Sequence, residues 1–174
     1  MTNIRNPTLI AWTAGFVRRW HTNLDLCDTV DYDSGHSQRC AILLLQFWPD
    51  ASRDLIIRAL IHDQGEAEAG DISYVAKAKY PELAKMVGEI EHKSIVHLQN
   101  FPWPELTDVE LAQMKFVDSL DSILWMWRHK PQLMYKPEWD IQGEKVADQA
   151  TNLGVFDTFD SLMSSAYDFF VSEP

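Results

Sequence analysis

The chain has 174 residues, 46% of them hydrophobic and 24% charged, with only seven glycines; this size can bury a substantial core, and the composition excludes a fibrous repeat or a disordered chain. Its 15 basic and 26 acidic residues give a formal charge of −11, which argues against stable binding of nucleic acid. A small phosphorylated ligand is compatible with that charge only where a few cations, or a metal, make a local positive pocket. One domain spanning residues 1–174 is expected.

The N-terminal "MTNIRNPTLI" lacks the apolar core of a signal peptide, and no apolar run approaches the roughly 18 residues that a membrane span needs. A cytoplasmic protein without membrane association is expected. Cys27 and Cys40 are the only cysteines; their spacing fits no CxxC pair, and they read as small, partly buried hydrophobes.

Helical signals run through the chain. "PTLIAWTAGFVRRW" puts Pro7 in a first turn and predicts a helix ending around Arg19, followed by the Asp-rich loop "HTNLDLCDTVDYDS". Ser34 is a candidate N-cap for "GHSQRCAILLLQFWP", which carries His36 in its first turn and stops at Pro49. Asp50 or Ser52 can cap "RDLIIRALIHD", with His62 and Asp63 at its C-terminal end and Gly65 weakening continuation. A polar segment follows up to Tyr80. Pro81 then opens a long amphipathic helix, which "FPWPE" breaks. Thr107 and Glu110 form a capping box before another long helix carrying Lys115, Asp118 and Asp121. Two further helices, roughly 141–153 and 157–172, are separated by Gly154. No alternating pattern of strand length occurs, so the fold expected is all-α, a bundle of about six or seven helices.

"IHDQGEAEAGDISYVAK", residues 61–77, gathers many ionisable groups where the chain should turn. Adjacent helical residues point about 100° apart, so His62 and Asp63 can meet one ion only near a helix end, which the break at Gly65 provides. A His plus carboxylate set suits Zn, Mn, Fe or Co better than Ca. His36 and Asp118 are the best candidates for completing it. An isolated His-Asp pair arises easily by chance, and each histidine alone has an ordinary structural reading.

The longer order, His36, then H-D-x-x-E-x-x-x-G-D over residues 62–71, then Lys77 and Asp118, resembles the HD-domain phosphohydrolases, all-α metalloenzymes that hydrolyse phosphate esters. More narrowly, it is similar to the bacterial 5'-deoxynucleotidases and to the short dATP triphosphohydrolases of phages that replace adenine by 2-aminoadenine. The Arg19-Trp20 pair in "RRWHTN" is part of that likeness. Gly35 departs from it, because the bacterial enzymes usually carry glutamate just before the histidine.

The resemblance implies one divalent transition metal (Zn, Co or Mn) held by His36, His62, Asp63 and Asp118. Such an ion polarises phosphorus and lowers the pKa of a water. Glu66, one helical turn from His62, would be the general acid/base on the attacking water. Asp71 would orient that water or assist the departing 5'-oxygen. Arg19, Lys77 and Lys115 would bind phosphate, and Trp20, Thr22 and Val75 would line the sugar and base pocket. Glu68 and Asp121 read as solvent-facing or as support behind the ligands, while His21, His92, His97 and His129 read as structural or solvated. The expected substrate is a 2'-deoxynucleotide, with dATP giving deoxyadenosine plus tripolyphosphate, or a deoxynucleoside monophosphate as the alternative. A non-catalytic nucleotide sensor is the alternative from another class. Relatives of this kind form homo-oligomers, and a dimer or hexamer is expected, located in the host cytoplasm if the chain is phage-encoded.

Overall fold

The computed structural model describes residues 6–98 and 102–172. The all-α expectation is borne out: among the described residues there are helices and no strands, with one isolated antiparallel bridge between Arg18 and Tyr32. No helix among them is long and apolar enough to cross a membrane.

Helix α1 spans Pro7–Ala14 and is capped by Asn6, whose side-chain oxygen accepts from the Thr8 amide at 2.9 Å. It ends five residues before the expected Arg19. The cause is tertiary: the Arg19 amide donates to the Asp31 carbonyl at 3.1 Å, and the Asp33 amide to the Val17 carbonyl at 3.1 Å. Backbone pairing with the 29–33 segment replaces the next helical turn.

Helix α2, Asp33–Phe47, begins one residue before the expected cap Ser34 and stops ahead of Pro49. Helix α3, Arg53–Ile61, is capped by Ser52, whose hydroxyl accepts from the Leu55 amide at 3.1 Å. The polar segment up to Tyr80 holds two short helices, α4 (Glu66–Ala69) and α5 (Tyr74–Lys79), beside the longer helices of the expected bundle. Helix α6, Pro81–Leu98, opens at its proline as expected. The break expected at "FPWPE" begins at a residue outside the described ones.

Helix α7, Asp108–His129, carries the complete capping box: the Thr107 hydroxyl accepts from the Glu110 amide, and the Glu110 carboxylate accepts from the Thr107 amide. A 3-10 segment, Pro131–Tyr135, leads to α8, Pro137–Asn152, and α9, Phe156–Tyr167, followed by a π-helical turn, Asp168–Ser172. Gly154, at φ 69, separates α8 from α9, a left-handed position that only glycine takes without penalty.

The chain divides into two compact units. The first draws its described residues from Met1–Gln38 and Ile57–Glu105, and within it α6 packs against α1, α4 and α5 over buried Ala14, Ala59, Ile61, Val87 and Ile95. The second, Arg39–Ile56 and Leu106–Pro174, is centred on α7. Phe116 is its hub, with Phe47 at 5.1 Å and Phe159 at 6.2 Å in edge-to-face contacts; burying a ring of that size contributes about 2–3 kcal/mol. Cys40 is buried in this unit, whereas Cys27 is exposed in the loop after α1. That corrects the reading of Cys27 as partly buried.

Candidate metal centre

In the first unit, helix termination positions the chemistry. Beyond Ile61 the chain continues in tight turns, with the Gln64 amide donating to the Ile61 carbonyl at 3.1 Å and the Glu66 amide to the Asp63 carbonyl at 2.9 Å. His62 and Asp63 are thereby released from a regular helical face, and Glu66 folds back beside them. Gly65 makes this possible: a Cβ there would lie 2.6 Å from the Cα and carbonyl oxygen of Glu91 on α6.

His36, fully buried in the first turn of α2, meets His62 with the two Nε2 atoms 3.2 Å apart. Asp63 faces both rings, its Oδ2 3.5 Å from His36 Nε2 and its Oδ1 3.4 Å from His62 Nε2. Two donors on a tetrahedral ion at about 2.0–2.1 Å stand about 3.4 Å apart, so each of these three pairwise distances is that of two neighbouring ligands, with Asp63 turning a different oxygen to each ring. His62 Nδ1 donates to the Ala59 carbonyl at 2.9 Å. That bond holds the ring in the tautomer whose Nε2 presents a lone pair to a metal.

A second grouping shares Asp63. Carboxylate oxygens of Asp33, Asp63 and Glu66 lie within 4.8 Å of one another. Asp33 is 3% exposed, and neither of its oxygens has a hydrogen-bond partner among the described residues. Burial, then Asp63, pushes its carboxyl up to about 8, against the lowering influence of Arg19 and His36. Glu66 is likewise raised, by burial first and then by Asp63, Asp33 and Asp71, with Lys77 opposing. An orphaned, buried carboxylate beside two imidazoles is the environment that a divalent cation satisfies, and the mixed N/O donors fit a transition metal.

Asp71 follows Gly70, whose φ of 72 turns the chain, and its Oδ2 accepts from the Trp20 amide at 3.0 Å. Arg19 lies 3.5 Å from Asp31 Oδ2, and Trp20 Nε1 donates to the same oxygen at 3.3 Å. Lys77 pairs with Glu91 at 3.4 Å, and burial raises the Glu91 carboxyl despite that lysine. The structure thus brings His36, His62, Asp63 and Glu66 together, with Asp71, Arg19 and Lys77 acting electrostatically on the same carboxylates. Thr22 and Val75 are exposed, the latter 69% so, in the turn after Trp20 and on α5. Lys115, exposed, and Asp118, half-buried, stand one turn apart on α7 in the second unit.

Three acids were missed from sequence. Asp33 had a readable signal, since it stands three residues before His36 and shares its helical face. Asp31 and Glu91 had none, because each acts through a residue distant in sequence. Asp121 is 2% exposed and grips Arg39 through both oxygens, at 2.6 and 3.0 Å, while the guanidinium lies over Trp125. It is a buried structural partner in the second unit, which rules out the solvent-facing one of its two readings. Glu68, His21, His92, His97 and His129 are exposed, as expected. Comparisons with protein-family models, with curated proteins and with solved structures returned no match.

Proposed function

We propose that the chain is a metal-dependent phosphohydrolase of HD type that cleaves the 5'-phosphate ester of a 2'-deoxynucleotide, with dATP, giving deoxyadenosine and tripolyphosphate, as the leading substrate. The observation that supports this best is the pair of His36 and His62 with their Nε2 atoms 3.2 Å apart and Asp63 turning one oxygen to each ring at 3.4–3.5 Å, with Glu66 and the unpartnered Asp33 beside it. His36, His62 and Asp63 would hold the ion, with Asp118 as the further ligand that the resemblance supplies; Zn, Co or Mn suits the set. When bound, the ion supplies Lewis acidity toward a phosphoryl oxygen and a lowered pKa for a coordinated water.

The remaining steps fall to side chains. Glu66 holds a proton in its raised state, and positive charge brought beside it lowers its pKa, freeing it to take a proton from the attacking water. Asp71, fixed by the Trp20 amide, orients that water or passes a proton to the leaving 5'-oxygen. Arg19 and Lys77 stabilise the phosphate charge, with Lys115 as a further cation for a longer tail. Trp20, Thr22 and Val75 would meet the sugar and base.

A second reading is a 5'-deoxynucleotidase acting on monophosphates. It is favoured by the pairing of Arg19 with Asp31 and of Lys77 with Glu91, which reduces the positive charge left for a triphosphate. The test is chromatography of nucleoside released from the four dNTPs and four dNMPs with Mn or Co added. Release chiefly from dATP, reduced at least a hundredfold in Glu66→Ala, is the expected result. Cleavage confined to monophosphates selects the second reading; intact substrates with metal bound would leave a nucleotide sensor.

A further inference from the structure

Resting on the phosphohydrolase reading above, we infer that Asp31 is a positioning residue that holds the phosphate-binding arm, Arg19 and Trp20, in its working geometry. Asp31 lies in the loop before α2, 3% exposed, where nothing in the local sequence marks it. Its Oδ2 takes the Trp20 indole N–H at 3.3 Å and stands 3.5 Å from the Arg19 guanidinium, and its Oδ1 accepts from the Tyr32 amide at 3.0 Å. Its carbonyl accepts from the Arg19 amide at 3.1 Å. One buried residue therefore holds the main chain of Arg19 and the side chains of both consecutive residues of the arm.

The backbone explains why such a hold is needed. Trp20 is the non-glycine residue at positive φ, 65, among the described residues. A bulky side chain there is strained and persists only when its surroundings over-determine it. The indole bond to Asp31 is one such determinant. What the strained conformation secures is the direction of the Trp20 amide, which donates to Asp71 Oδ2 at 3.0 Å. Asp31 thus acts on Arg19 directly and on Asp71 through Trp20. A guanidinium backed by a buried carboxylate is held in a fixed orientation. Little orientational freedom is then lost when a phosphate arrives.

The test is a double-mutant cycle read by calorimetric binding of tripolyphosphate to the full chain loaded with Mn. Asp31→Asn keeps the size and one acceptor oxygen, which can stay on the Trp20 indole at the expense of the Tyr32 amide, but removes the charge behind Arg19, and should weaken tripolyphosphate about tenfold with Mn stoichiometry unchanged. In an Arg19→Gln background the same change should alter affinity less than twofold. Asp31→Glu, which keeps the charge, should recover at least a third of the lost affinity, so that misfolding of the asparagine variant would not decide the matter. Unchanged affinity in Asp31→Asn, an equal loss in both backgrounds, or no tripolyphosphate binding to the parent chain overturns the inference. Hydrolysis assays on the parent chain separate the two ideas. Coupling without hydrolysis leaves Asp31 in place and removes the phosphohydrolase reading, whereas hydrolysis without coupling does the reverse.

Discussion

Asp33 in the first unit and Asp121 in the second are buried to nearly the same degree, 3% and 2% exposed, and each sits on a helix. Asp121 has both oxygens engaged by Arg39. Asp33 has neither oxygen hydrogen-bonded among the described residues and is surrounded by other acids. A buried charge is tolerated when it is paired and hydrogen-bonded, and is otherwise driven to neutrality. The contrast separates a carboxylate that serves the fold from one whose surroundings make sense around a cation.

The largest expected effect breaks the satisfied side of that contrast. Asp121→Ala leaves Arg39 without its partner and should destabilise by about 3 kcal/mol in urea denaturation, with metal binding in the first unit untouched. A loss under about 1 kcal/mol would mean that the pair is as weak as a surface bridge. Next, Gly65→Ala drives a methyl into the α6 backbone at Glu91. It should cost about 2 kcal/mol and lower metal affinity by displacing Glu66 from Asp33.

The smallest effect has the opposite sign. Asp33→Asn should stabilise the metal-free protein by about 1 kcal/mol at pH 8.5 while weakening metal binding, because it removes an unpartnered carboxylate. The pH sense follows from the raised folded-state value, about 8 against 3.8. The folded state holds its proton longer than the unfolded chain, so this group's contribution is most favourable below about 3.8. It falls as pH rises and is lost once pH passes about 8. Denaturation midpoints of the metal-free parent should therefore decline between pH 5 and 8, and Asp33→Asn should flatten that decline. A parallel decline in both proteins would show that Asp33 titrates as an ordinary surface acid.

Much of the fold was legible because its signals are local. Pro81 opens α6, Thr107 and Glu110 cap α7, and Gly154 parts α8 from α9, each within a few residues of what it controls. The ordered spacing of His36, His62, Asp63 and Glu66 was legible in the same way. What escaped depends on partners far along the chain. The end of α1 at Ala14 is set by bonds to Asp31 and Val17's partner Asp33, and Asp121 is settled by Arg39, 82 residues away. Helical patterning around residues 66–79 is too short and polar to stand out, and α4 and α5 exist by packing on α6.

The bond from His62 to the Ala59 carbonyl ties the imidazole that meets His36 to the last turn of α3. That carbonyl is among the acceptors a helix leaves open at its C-terminus, so the helix end itself sets the angle of the imidazole. Chain length in α3 is therefore locked in register with the candidate ligands. One inserted or deleted residue upstream turns the ring by about 100° and shifts it by about 1.5 Å along the axis, which no side-chain adjustment restores. The loop from 21 to 30 is held differently, by buried Leu26 and Thr29 and by Arg18, which donates to the Cys27 and Thr29 carbonyls.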